Sequence, residues 1–144
     1  MGTNHMGRQS IRFPQPPVVR SFASVAGKKE REGPLGDQFT ATVQDTTFGE
    51  KSWERAERRM QQMTLELALE KAGLTDADLA AAFSGALLNQ CIGSSFSLRN
   101  RGVPTLGLYG ACSTMAESLL LAAMSVSGGY ARTALAMTSS HFAS

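Results

Sequence analysis

Cys112 is the residue whose type and surroundings most favour chemistry in this sequence. It lies in the stretch GLYGACSTMAESLLLAAM (107–124), between a short apolar run and a strongly apolar helical pattern. At a helix N-terminus, unpaired backbone N–H groups and the helix dipole favour a thiolate, and they equally favour a bound carboxylate or oxyanion. Small neighbours, including Ser113 and Thr114, let a ligand approach the backbone closely. Three interpretations stay open: a nucleophile, part of a ligand pocket, or a small buried side chain.

A cysteine nucleophile needs a base or an orienting group within hydrogen-bond reach. The sequence has two histidines, His5 in the polar N-terminal stretch and His141 in the segment TSSHFAS. If the strand before His141 lies beside the strand before Cys112, the two side chains share one rim of the sheet. A histidine at a strand end is otherwise a structural, hydrogen-bonded residue. Cys91 is predicted to be structural too.

Composition limits the classes of protein and partner. The chain has 144 residues, of which 42% are hydrophobic, so it can build one modest core. A net charge of +2 gives no overall excess that would attract nucleic acid. Two cysteines without metal-ligand spacing predict a reduced, intracellular protein with no metal and no cofactor. The longest apolar run, LLLAAM (119–124), is far shorter than the roughly 18 residues of a membrane span.

Alternating strand and helix patterns predict an α/β fold with a mostly parallel sheet covered on its faces. The most strongly predicted helix is capped by Ser52, carries an apolar stripe that includes Trp53, and ends at Gly73. Residues 1–17 are treated as a poorly ordered extension. Strands are predicted at 18–26, 80–88, 103–110 and 133–140, an exposed irregular loop at 27–39, and further helices at 89–102 and 111–129.

The helix that follows Cys112 is apolar almost all round, with Glu117 as its single charge. Such a helix is typical of the interior of a larger domain, where other elements cover it on every side. We therefore expect a buried central helix. We also expect this chain, taken alone, to expose apolar surface, to dimerise or to fold poorly.

Six spaced motifs resemble the stage V sporulation protein AD family. They are GPLG (33–36), SWERAER (52–58), LLNQ (87–90), YGACSTMAES (109–118), GGYA (128–131) and TSSH (138–141). The resemblance runs from about Val18 to the last residue. It implies a thiolase-like fold, of which residues 18–144 would be the incomplete first half, because proteins of this family are more than twice as long.

The resemblance also implies a function. The family is associated with binding dipicolinic acid and with its uptake into the developing spore, together with membrane proteins of the same operon. It implies a protein inside a spore-forming bacterium, peripheral at the spore inner membrane, and a homodimer at full length. The expected ligand-binding residues are Cys112, Ser113, Thr114, Asn89 and His141.

The resemblance also carries an alternative function and one departure from the family pattern. The Cys112 position corresponds to the nucleophile of thiolase relatives, so the alternative function is an acyltransferase that uses Cys112. A binding role without catalysis is favoured, because the family's role needs no acyl transfer. Ala86 stands where the family has an aspartate, which removes a carboxylate from the expected pocket.

Overall fold

The computed structural model describes residues 4–87 and 91–141. Its main sheet has three strands and is flanked by helices, which confirms the predicted α/β class and the parallel sheet. The elements in chain order are β1 (His5–Met6), β2 (Ser10–Ile11), β3 (Val25–Ala26), α1 (Lys28–Arg31), β4 (Ala41–Thr42), α2 (Trp53–Ala72), β5 (Ala81–Ala86), α3 (Ile92–Leu98), β6 (Thr105–Leu108), α4 (Thr114–Ser127) and β7 (Ala134–Ser139).

The central strand of the main sheet is β5, which pairs in parallel with β6 on one side and with β7 on the other. Its residues are buried from Ala82 onward. Side chains alternate between the two faces of a strand, so Ala82 faces α2 and α3, whereas Gly85 faces α4. The sheet therefore lies between two helical layers. The main apolar cluster, on the α2 and α3 side, comprises Leu65, Leu79, Ala82, Leu98, Val103 and Met137.

Helix α2 has the predicted ends. The Ser52 side chain accepts a hydrogen bond from the Arg55 N–H at 3.4 Å, and Gly73 ends the helix in the left-handed region at φ 64°. The predicted stripe is only partly right, because Trp53 is 45% exposed. The buried face instead includes two polar residues, Glu57 and Gln61.

The N-terminal part of the chain differs from its prediction. Of the strand predicted at 18–26, only β3 forms, and it pairs in parallel with β4. Val18, Val19 and Phe22 are exposed and lie outside any strand. Their β-branched and aromatic side chains favour a strand locally, but a strand also needs a neighbour to accept its backbone hydrogen bonds. The predicted loop at 27–39 contains helix α1 and a short 3-10 turn, and residues 5–11 form a two-stranded hairpin.

Helix α4 is not enclosed on all sides by the described residues; the enclosed helix was predicted for the larger domain. Its buried residues are Thr114, Ser118 and Ala122, which recur every fourth position and lie against the sheet. Its large apolar side chains are exposed instead, as expected for this chain alone: Met115, Leu119, Leu120 and Met124. Within residues 4–87 and 91–141, no helix is long and apolar enough to cross a membrane.

Gly85 allows a close approach that a side chain would block. A Cβ atom there would lie 2.2 Å from the Leu108 carbonyl oxygen and 2.7 Å from Thr114 Cγ2. Gly85→Ala must therefore push apart β5, β6 and α4. We predict a loss of about 1–3 kcal/mol in the free energy of unfolding, measured by urea denaturation.

The matched control is Gly27→Ala, whose Cβ would meet the flexible end of Glu30 at 3.2 Å. That side chain can move away at little cost, so the control should unfold close to the wild-type midpoint. Equal stability of Gly85→Ala and wild type would contradict the close approach.

Candidate functional site

The carboxyl ends of the three parallel strands bring the predicted site segments to one edge of the sheet. Strand β6 leads into the Cys112 turn and β7 into His141. Ligands of open parallel sheets bind at such an edge. Asn89 itself lies outside the described residues. We refer to this region as the carboxyl edge.

A sharp turn exposes Cys112. Residues Ala111–Ser113 form one turn of 3-10 helix directly before α4, and Ala111 has a φ of 49°, in the left-handed region that non-glycine residues rarely adopt. Cys112 is exposed. A Cβ at Gly110 would displace the Ser113 hydroxyl and the Glu117 carboxylate from their present positions in the turn. The tight backbone thus holds the thiol at the surface, so the interpretation as a buried side chain is wrong for this chain.

Thr114 holds this turn together. Its hydroxyl accepts a hydrogen bond from the Gly110 N–H at 3.2 Å and donates one to the Ala111 carbonyl at 2.8 Å. The side chain is 0% exposed. The backbone N–H groups of Ser113 and Thr114, which the sequence suggested as donors to a carboxylate, donate within the turn to Gly110 and Ala111. Thr114 is thus placed to shape the site and not to touch a ligand with its side chain.

Ser113 and Glu117 add charge and polarity beside the thiol. The Ser113 hydroxyl donates to the Gly110 carbonyl at 2.7 Å and is also hydrogen-bonded to the Glu117 carboxylate. Ser113 is an exposed residue, and its single hydroxyl proton is shared between these two acceptors. The Glu117 carboxylate repels an anion at this turn, because like charges in contact cost energy even near a protein surface.

His141 lies on the other side of β5 from the Cys112 turn. Strand β7 pairs with β5 and not with β6, so the condition that would put His141 beside Cys112 is not met. The ring nitrogen Nε2 is 2.8 Å from the Thr46 carbonyl oxygen, and the ring contacts Phe48 and Trp53 at centroid distances of 5.7 and 5.6 Å.

The loop that holds His141 is organised by Asp45. Its carboxylate accepts hydrogen bonds from the Thr47 N–H at 2.9 Å, from the Thr47 hydroxyl and from the Gly49 N–H at 2.7 Å. These hydrogen bonds hold the pKa of Asp45 below its usual value, and the bond from the Thr47 N–H has the largest effect. His141 also borders a cleft of about 400 Å³ between α2, the end of β7 and residues 23–30.

A buried polar network fixes the end of β7, and the sequence did not predict it. The Ser139 hydroxyl donates to the Glu57 carboxylate at 2.6 Å and accepts from the Gln61 amide at 2.5 Å. The Ser97 hydroxyl donates to the other end of the same amide at 2.7 Å. The sequence does contain a signal for this network, because Glu57 and Gln61 are polar residues spaced four apart beside the apolar stripe of α2.

Cys91 lies close to strand β6. Its thiol donates to the Leu108 carbonyl at 3.4 Å and its side chain is partly buried. Cys91 thus packs against the strand that leads to Cys112. Over residues 4–87 and 91–141, no group of three potential metal ligands is present.

Removing the Thr114 hydroxyl should loosen the Cys112 turn. Thr114→Val keeps the shape but leaves the Gly110 N–H and the Ala111 carbonyl without this partner. We predict a loss of about 1–3 kcal/mol in unfolding free energy and a changed rate of Cys112 alkylation. The control is Thr64→Val, whose hydroxyl donates only to the Met60 carbonyl of its own helix. An alkylation rate and stability equal to those of the control would refute the role of Thr114.

Comparison with known proteins identifies the family of this chain. A sequence model of the family Stage V sporulation protein AD (SpoVAD) matches residues 7–144, and so begins upstream of Val18. The stage V sporulation protein AD of Bacillus subtilis (strain 168) is 41% identical over 135 residues, which cover 94% of this chain and 40% of that protein. The chain thus spans 40% of the length of this relative. On both findings, the chain belongs to the stage V sporulation protein AD family.

Proposed function

We propose that this sporulation protein binds dipicolinic acid at the carboxyl edge and supports its uptake into the developing spore. Membership of the stage V sporulation protein AD family is the observation that carries the proposal. The parallel sheet supports it, because Cys112 and His141 both follow strand ends at one edge. The proposed partners are membrane proteins of the same sporulation operon, with the protein peripheral at the spore inner membrane.

The Cys112 turn has features that suit a small planar dicarboxylate. Cys112 and Ser113 are exposed residues, and the neighbouring Gly110 keeps the backbone free of bulk. The proposed contacts at this turn are the Cys112 thiol and the Ser113 hydroxyl, while Thr114 holds the backbone beneath them. The Glu117 carboxylate opposes binding here, so the site needs further donors. The family resemblance proposes Asn89 and His141 for this role, of which His141 lies across β5 from the Cys112 turn.

The exposed apolar face of α4 leads to a proposal about the full-length protein. This chain spans 40% of the length of its relative, and we propose that the remaining length covers the apolar side chains of α4. A homodimer of the full-length protein is proposed in addition, from the same family resemblance.

An acyltransferase is the second candidate function. It is favoured by one observation, the exposed thiol on a turn whose Ala111 has a left-handed backbone, as in turns that present a nucleophile. Incubation with acetyl-CoA, followed by mass spectrometry of the intact chain, separates the two functions. Stoichiometric acylation that is absent in Cys112→Ala supports the enzyme, and an unmodified chain supports binding alone.

Thermal melts with and without dipicolinate, at constant ionic strength, test the binding proposal. A ligand that binds only the folded state stabilises it by about 2.7 kcal/mol at a concentration of 100 times the dissociation constant. We predict a raised midpoint for wild type and for Cys91→Ala, which removes the other thiol. In Cys112→Ala the shift should be lost or much smaller. No shift in a cooperative wild-type transition would contradict binding by this chain.

Glu117→Gln sharpens the same test, because it removes a negative charge and keeps the shape of the side chain. We predict that dipicolinate binds this variant about three- to tenfold more tightly, which corresponds to about 1 kcal/mol of removed repulsion. The gain should shrink at high salt. Unchanged or weaker binding at low salt would place the ligand away from the Cys112 turn.

A further inference from the structure

A second cleft lies between α2 and the end of α3. Helices α2 and α3 cover one face of the sheet, whereas the Cys112 turn leads into α4 on the other face. The cleft has a volume of about 490 Å³. Its walls are Arg58 and Gln62 of α2, Phe96 of α3, Arg99 and Arg101 after α3, and Asp76.

One of the three arginines is already neutralised. The Arg101 guanidinium donates to both oxygens of Asp76, at 3.1 and 3.2 Å, and to Glu66 at 2.7 Å. Two carboxylates therefore hold the Arg101 side chain in place where it lines the cleft. Asp76 serves this ion pair, while the neighbouring Asp78 accepts the capping hydrogen bonds of Thr75.

The other two arginines keep unused hydrogen-bonding capacity. Arg58 contacts Glu50 through Nη2 at 3.6 Å, and its Nε atom is buried without a hydrogen-bond partner among the described residues. A buried donor without an acceptor is costly, so an acceptor in the cleft would be favourable. Within residues 4–87 and 91–141, no carboxylate lies within 4.0 Å of the Arg99 guanidinium, which lies over the Phe96 ring at 5.9 Å.

We propose that this cleft binds a phosphate group between Arg58 and Arg99. Guanidinium groups match phosphate oxygens with paired, charge-assisted hydrogen bonds. Phe96 is 51% exposed and lies beside Arg99, where it can contact the organic part of a phosphate ester. The site is separate from the Cys112 turn and from His141, since none of these residues lines the cleft.

The test is an NMR titration of this chain with inorganic phosphate, with chloride keeping the ionic strength constant. The side-chain Nε–H resonances of arginine report the contact directly. We predict saturable shifts for Arg58 and Arg99, and an affinity about tenfold weaker in Arg99→Gln, because a charge-assisted hydrogen bond is lost. Arg99 is exposed, so this variant should fold normally.

Arg55→Gln is the matched control, an exposed arginine of α2 that does not line the cleft. It should bind phosphate like wild type. Absence of saturation, or equal weakening in Arg55→Gln and Arg99→Gln, would overturn the proposal and leave only general screening. Cys112→Ala should leave the titration unchanged, so the failure of one site does not imply the failure of the other.

Phenyl phosphate, titrated in parallel, distinguishes two sources of the phosphate group. Tighter binding than inorganic phosphate, lost in Phe96→Leu, assigns the cleft to aromatic phosphate esters. Equal affinity of the two probes assigns it to phosphate itself.

Discussion

The parallel pairing of β5 with β6 and β7 is the constraint on which the rest of the structure depends. It places the carboxyl ends of the three strands at one edge, where Cys112 follows β6 and His141 follows β7. Parallel strands need crossovers, and α3 and α4 serve as these crossovers between β5, β6 and β7. The cleft between α2 and α3 lies on one face of the sheet, and the Cys112 turn leads into α4 on the other face, so the two candidate sites lie on different sides of the sheet.

Small and polar residues, more than large apolar ones, determine the shape of the carboxyl edge. Gly85 lets α4 and β6 approach β5 closely. The Thr114 hydroxyl is hydrogen-bonded to Gly110 and to Ala111, which holds the Cys112 turn together. On the far side of β5, Ser139 is fixed by Glu57 and Gln61. Buried polar groups that are fully hydrogen-bonded hold one arrangement well, because any other arrangement leaves a donor or acceptor unsatisfied.

Local sequence patterns correctly predicted the features of the fold that depend on local interactions. The ends of α2 follow from Ser52 and Gly73, and the three strands of the main sheet follow from short apolar runs bounded by turn residues. Patterns failed where a distant partner decides. Residues 18–24 read as a strand but have no neighbouring strand. The apolar pattern of α4 predicts a helix enclosed in the larger domain, and the described residues cover one face of it.

The candidate site likewise has a part that the sequence predicted and a part that it did not. The exposure of Cys112 at a helix start agrees with the sequence, since the small residues around it are local. The position of His141 could not be predicted from the sequence, because its partner Thr46 lies 95 residues earlier in the chain. Arg58 and Arg99 come together only when α2 and α3 pack side by side, so no motif links them.

The most direct test of ligand binding at the carboxyl edge is the alkylation rate of Cys112 by iodoacetamide, with and without dipicolinate. Cys91, partly buried beside β6, serves as the internal reference in the same peptide map. Binding at the Cys112 turn predicts that saturating dipicolinate slows alkylation of Cys112 and leaves the rate of Cys91 unchanged, while benzoate at equal ionic strength protects neither. An unchanged Cys112 rate at a dipicolinate concentration that raises the melting midpoint would contradict binding at this turn.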